Sequence, residues 1–269
     1  MSSEPRGLQD LKAILGVAED AARAAGKILL EHLGRLDPAA IGSKSAARDL
    51  VTAADVASER SLVAALRAAF PDHAIEAEEE VQDPSDDRPR WFLDPLDGTV
   101  NFVHRLPCFG VSMGLFDRGE PRVAVVHLPQ LDQTFTATYG GGAHENGVPI
   151  SVSGAQELGE AVIATGFPYR RGELEHSNLE NFGRFFYDVR GLRRMGSAAL
   201  DLAYVASGRL DGYWELHLSP HDVAAGALLV REAGGLVSDV DGGEDWLRGG
   251  HIVAAGPGLH GAIRERVAH

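Results

Sequence analysis

Residues 91–102 read WFLDPLDGTVNF, and the order of residue types in this stretch decides the rest. A bulky apolar run, the signature of a buried strand, stops at Asp94-Pro95. Proline fixes its own φ and pushes the preceding residue toward extended geometry, so Asp94 is held at a strand end. Two residues after Pro95, Asp97 opens a turn in which Gly98 relieves the backbone and Thr99 is placed to start a helix. The expected product is two carboxylates and a hydroxyl facing one spot, beside amides able to bind an anion.

Outward from this stretch, the chain has 269 residues, enough for one large domain or two smaller ones sharing a core. Its formal net charge of −14 and the lack of a basic run argue against nucleic-acid binding. The most basic run, Gly191 to Met195, has only two adjacent arginines. No stretch approaches the roughly 20 apolar residues of a membrane span, and the N-terminus lacks a signal-peptide core. Cys108 is the only cysteine, so no intrachain disulfide forms; the expectation is a reducing cytoplasm, with Cys108 a small buried apolar residue.

Upstream, Leu8, Leu11, Leu15, Ala18, Ala22, Ala25 and Leu29 recur in steps of three and four, predicting a helix over 8–34. A short extended piece then leads to a helix expected to begin near Asp55 and end before Pro71. Residues 77–90 are acidic, proline-containing and loop-like. Downstream, residues 109–153 alternate as an antiparallel meander with turns at 117–120, 131–132 and 146–147. From about 160, strand and helix alternate: strands at 161–167, 191–195, 211–216, 235–240 and 251–256, helices at 178–189, 197–208 and 220–233, and a last helix. The fold class is α+β, helices against two sheets in one unit, with an N-terminal half over about 8–153 and a C-terminal half over about 154–269.

Hard divalent cations such as Mg²⁺ take oxygen ligands from a few carboxylates. Glu78, Glu79 and Glu80 lie just upstream of the quoted stretch, and Asp222 starts the helix PHDVAAGALLVREAGG. Each also has a plain reading. Asp94 and Asp97 serve as turn and cap residues, the glutamate run as a solvated face, and Asp222 as an N-cap.

The stretch WFLDPLDGTVNFVH closely resembles the first signature of the inositol monophosphatase family of lithium-sensitive, metal-dependent sugar phosphatases. KSAARDLVTAADVASER and AEEE before it, and ATGFPY, RRMGSAALDLAYVASGRLDGYWE and HDVAAGALLVREAGG after it, resemble further segments of the family in the family's order, covering about residues 10–265. The resemblance implies an αβαβα sandwich, usually a homodimer, hydrolysing inositol 1-phosphate or a similar polyol phosphate with two or three Mg²⁺ ions. It implies metal ligation by Glu78, Asp94, Asp97, the Leu96 carbonyl and Asp222. Thr99 would pair with Asp55 to activate the attacking water, with Glu78 beside them, and the Gly98 and Thr99 amides would hold the phosphate. Lys44 matches a lysine on a loop near the site. The metals activate water at one end of an in-line displacement and stabilise the departing alkoxide at the other, with no covalent phosphoenzyme.

The helix beginning at Gly196, Ser197 and Ala198 offers amides to a polyol or its phosphate; packing of small residues is the plain alternative. Glu215 stands where the family accepts hydrogen bonds from substrate hydroxyls, and Asp222 adjoins the same pocket. One departure is His221 where the family's second signature usually has tryptophan, which leaves the pocket wall and the substrate open. His104 is expected to cap or pack, Arg170 and Arg171 to be solvated, and His217 to fit no metal spacing. Fructose 1,6-bisphosphate, histidinol phosphate, NADP and 3′-phosphoadenosine 5′-phosphate stay as rival substrates. An interaction protein binding transcription machinery is the rival outside enzymology.

Overall fold

The computed structural model describes residues 8–36, 42–43, 50–169, 172–174 and 177–267. Helix α1 (Leu8–His32) buries Leu11, Ile14, Ala18, Ala22, Ala25 and Leu29 along one stripe. It ends two residues before the expected limit, at a turn where Gly34 takes φ +73°. Helix α2 (Ala53–Ala69) starts two residues earlier than expected. The cause is local. Thr52 caps it, accepting from the Ala54 amide, while Asp55 reaches back to the Thr52 amide in a capping box. Asp55 is thus the third helical residue rather than the first.

Two short strands, β1 (Gly42–Ser43) and β2 (Leu50–Val51), pair antiparallel between these helices. The larger sheet contains β3 (Ala74–Ala77), β4 (Arg90–Asp97), β5 (Gly110–Asp117), β6 (Glu120–Leu128), β7 (Gln133–Thr138), β8 (Gly142–Glu145) and β9 (Val148–Pro149). Its strands lie in sequence order, antiparallel throughout except that β3 runs parallel to β4. The expected meander is there; β3 was not foreseen. Helix α3 (Thr99–Val103) follows β4 directly.

The smaller sheet contains β10 (Val162–Thr165), β11 (Gly191–Arg193), β12 (Gly212–Leu216), β13 (Leu236–Ser238) and β14 (His251–Ala255), in the order β11-β10-β12-β14-β13. Parallel β11-β10-β12 pairing turns antiparallel at β14, so the sheet is mixed. Helix α4 (Leu179–Phe185) is shorter than the expected 178–189; α5 (Ala198–Ala206), α6 (Pro220–Glu232) and α7 (His260–Arg264) complete the described helices.

Strand alternation sorts the apolar side chains into three cores. Trp91 and Leu93 on β4, with Val111, Met113 and Leu115 on β5, pack under α1 and α2. Phe92, Val126 and Phe135 point the other way, onto α5 and α6 and the near face of the smaller sheet at Tyr213, Ile252 and Ala254. Trp214, Leu216, Val253 and Ala255 face outward from that sheet to Phe185 and Ile263. The layers are therefore helix, sheet, helix, sheet, helix: an α+β sandwich of αβαβα order.

Candidate active site

In a regular strand, residues three apart face opposite sides, so Asp94 and Asp97 ought to diverge. They do not. Pairing with β5 slips between them: Asp94 stands opposite Ser112 and Asp97 opposite Gly110, three steps against two. This bulge at Pro95-Leu96 absorbs one residue and turns both carboxylates to one side. Gly98 follows at φ +88°, and a Cβ there would lie 2.7 Å from the Cys108 carbonyl oxygen. Only glycine fits, and it lets the chain turn straight into α3.

Each side chain in this turn is tied to backbone. Asp94 Oδ1 accepts from the Leu96 amide at 2.9 Å. Asp97 Oδ2 accepts from Ser197 Oγ at 2.6 Å and from the Ala199 amide at 2.7 Å, joining the turn to the start of α5. Thr99 Oγ1 lies 3.2 Å from Asp55 Oδ1 and 3.1 Å from the Leu96 carbonyl. Asp55 Oδ2 accepts from Thr52 Oγ1 at 2.6 Å, so the Thr99–Asp55 pair hangs from the cap of α2. Asp55, Asp94, Asp97 and Thr99 are all buried.

The acidic run divides into separate roles. Glu59, buried on α2 and given no part by sequence reasoning, accepts the amides of Glu79, Glu80 and Val81 at 2.8, 2.7 and 2.9 Å. That clamp fixes the loop so that Glu78 lines the cleft, while Glu80 turns to the surface and pairs with Arg60. Ser219, not Asp222, is the N-cap of α6; Asp222, the third helical residue, accepts from the Ser219 amide at 2.6 Å in a capping box and also lines the cleft.

Electrostatics bring Glu78, Asp94, Asp97 and Asp222 together. Burial first, then the neighbouring Glu78, Asp97 and Asp222, hold the Asp94 carboxyl well above the usual carboxylate range. Burial and Asp222 push Asp97 to about 7, against the hydrogen bonds from Ser197 and Ala199. Such crowding of carboxylates is what a bound cation relieves, and an all-oxygen donor set fits a hard cation. Among the described residues, no group of three His, Cys, Asp or Glu side chains is by itself arranged to hold a metal ion.

The cleft has a volume of about 550 Å³ and is lined by Glu78, Asp97 and Asp222 together with Gly196, Ser197, Ala198, Glu215, His217 and His221. Within the segment that begins at Gly196, Ser197 and Ala198, Asp97 engages the Ser197 hydroxyl and the next amide, that of Ala199. Glu215 accepts from the Tyr213 hydroxyl, and burial lifts its carboxyl to about 7. His221 is half-buried, with Nε2 3.9 Å from Asp222 Oδ1. His217 is exposed, at φ +64°, its ring edge-on to His251. His104 is the exposed C-cap of α3, and Cys108 is only partly buried. Lys44, Arg170 and Arg171 lie outside the described residues.

Three residues at the site carry no signal that sequence reasoning used. Asn101 Nδ2 donates to the carbonyls of Cys108, at 2.6 Å, and Met195, at 2.8 Å, lashing α3 to the loop before α5. Arg194 lines the cleft. Asp201 is buried on α5 with Oδ1 unpaired, its carboxyl raised well above normal by burial and by Glu215. The Asn101 bond to Met195 spans 94 residues, and the other two act only through the folded cleft, beyond the reach of periodicity or spacing.

An αβαβα sandwich with an acidic cleft at the junction of its two sheets defines a class with solved members. A structure of inositol monophosphatase from Anabaena (Nostoc) superposes with a TM-score of 0.87 at 40% identity, covering 96% of each chain. The chain belongs to the inositol monophosphatase family, which matches residues 10–269. That is a family of phosphatases, generally metal-dependent. Two relatives carry different names. A Pseudomonas aeruginosa protein named Nus factor SuhB is 46% identical over 252 residues, 91% of this chain and 92% of the relative. An inositol-1-monophosphatase of Mesorhizobium japonicum is 41% identical over 257 residues, 95% and 96% of the two chains.

Proposed function

We propose that this chain is a Mg²⁺-dependent phosphomonoesterase of the cytoplasm that hydrolyses inositol 1-phosphate or a similar polyol phosphate and works as a homodimer. One observation carries the reading: Glu78, Asp97 and Asp222 line one cleft, with buried Asp94 in the same bulged turn as Asp97 and the Thr99–Asp55 hydrogen bond next to it in the chain. Family membership supports the phosphatase chemistry.

Glu78, Asp94, Asp97, the Leu96 carbonyl and Asp222 would hold two or three Mg²⁺ ions. When bound, the ions neutralise the phosphate dianion, acidify a water and stabilise the leaving oxygen. The protein's residues do the positioning. Ser197 and Ala199 fix the rotation of the Asp97 carboxylate, and the Leu96 amide fixes that of Asp94. The attacking water donates to Thr99 Oγ1, whose own proton points at Asp55 Oδ1; Glu78 orients the same water. The Gly98 and Thr99 amides hold the phosphate, while the Gly196–Ala198 segment and Glu215 receive the polyol.

The test is phosphate release across inositol 1-phosphate, fructose 1,6-bisphosphate, histidinol phosphate, NADP and 3′-phosphoadenosine 5′-phosphate, with Mg²⁺. Preference for the inositol ester is expected. Preference for another ester would overturn the substrate, and silence on all five would overturn the enzyme reading. A second reading follows from the relative named Nus factor: this chain would bind transcription machinery. Binding to a purified transcription complex that survives in an inactive variant would favour it.

A further inference from the structure

Arg194 is the one lysine or arginine among the described residues that line the cleft. It sits between strand β11 and the turn that opens α5, and its guanidinium folds back over Gly196. Gly196 has φ +86°, and a Cβ there would collide with Arg194 Nη1. Missing side chain and positive φ thus make the seat for the guanidinium. The neighbouring Arg193 donates to the Leu192 carbonyl, whereas no hydrogen bond or ion pair to a described residue engages Arg194. It is exposed on the cleft wall, and its charge is felt by Glu215 and Asp201, where it opposes the effect of burial.

Glu215 is held from two sides. Its Oε2 accepts from the Tyr213 hydroxyl, and its carboxyl packs so closely on Gly166 that a Cβ there would collide with it. The cleft wall therefore presents a fixed acceptor, Glu215, beside an uncommitted donor, Arg194. We propose that Arg194 is a specificity-determining residue that acts with Glu215 to receive adjacent free hydroxyls of a polyol. This inference rests on the phosphatase reading and deepens it.

The chemistry is selective. Guanidinium only donates and carboxylate only accepts, so a ligand must offer both functions side by side. A pair of adjacent hydroxyls does so. An aryl or alkyl leaving group offers neither. A second phosphate would satisfy Arg194 but would lie among Glu215, Glu173 and Asp222, which line the same cleft. Charge balance thus favours the neutral polyol over a bisphosphate.

The experiment compares wild type, Arg194→Gln and Arg194→Lys, with kcat and KM for inositol 1-phosphate, p-nitrophenyl phosphate and fructose 1,6-bisphosphate. Binding of free myo-inositol by calorimetry is measured alongside. In Arg194→Gln the kcat/KM ratio of inositol 1-phosphate to p-nitrophenyl phosphate should fall about tenfold, the loss of one charge-assisted hydrogen bond, mostly through KM. Arg194→Lys should recover part of it, and inositol affinity should fall in parallel. An unchanged ratio, a loss that tracks altered oligomeric mass, or a larger loss on the bisphosphate would each overturn the proposal. Wild-type silence on every ester would sink the phosphatase reading instead, and the inositol titration would still decide for or against Arg194.

Discussion

The floor of the cleft and its outer wall are held in different ways. Asp94, Asp97 and Thr99 sit within one bulged turn, buried and each bonded to backbone or to a residue that is itself bonded to backbone. Arg194, Glu215, His217 and His221 come from separate elements of the C-terminal half and are partly or fully exposed. On the proposed reading this is a division of labour: the positions that would serve any phosphate ester are locked by backbone geometry, and those that would choose among esters sit on more exposed side chains.

The strongest way to break this contrast is Asp97→Asn. It keeps the volume and one acceptor for Ser197 and Ala199 but removes the charge. Turnover should fall about 1,000-fold on every ester, a loss of the size seen for a single key electrostatic group. Melting of the Mg²⁺-free protein should stay close to wild type, and near-normal turnover would remove Asp97 from the site. Gly98→Ala attacks the backbone of the same floor. A methyl group 2.7 Å from the Cys108 carbonyl, at φ +88°, should cost about 1–3 kcal/mol, read as a lower denaturant midpoint. An unchanged midpoint would mean that the turn is not locked.

Glu215→Gln sharpens the contrast from the wall. Preference for inositol 1-phosphate over p-nitrophenyl phosphate should drop roughly tenfold, with a smaller effect on the artificial ester. An equal loss on both would place Glu215 in the floor. The smallest effect lies outside the cleft. His127 on β6 is buried against Arg23 and Glu19 of α1 and Asp132 of the next turn, and burial lowers it from 6.5 to about 4. The folded state then binds fewer protons than the unfolded one, so stability falls as pH drops from about 6.5 toward 4. His127→Gln should flatten that slope in urea melts; an unaltered slope would assign the acid loss to other groups.

Much of this architecture was legible because it is periodic. The α1 stripe, the meander and the later strand–helix alternation each repeat a local pattern that burial enforces. Strand β3 was not legible: four residues, Ala-Ile-Glu-Ala, are held extended by pairing with β4 on one side and by bonds to residues 81–83 on the other. The quoted turn named Asp94, Asp97 and Thr99, since proline and glycine constrain the chain on the spot. Glu59 and Asn101 stayed hidden because the contacts that reveal them, to Glu79 and to Met195, span 20 and 94 residues, and Arg194 because what it faces is the cleft itself. The bulge was equally silent, because register depends on a partner strand.

The most direct test of the account strips the protein with chelator, then titrates Mg²⁺ while following phosphate release from inositol 1-phosphate and heat of binding in parallel. No release is expected without metal, release should rise with site occupancy, and Asp97→Asn should lose both binding and release. Release that persists after chelation, or Mg²⁺ binding left intact by Asp97→Asn, would contradict it.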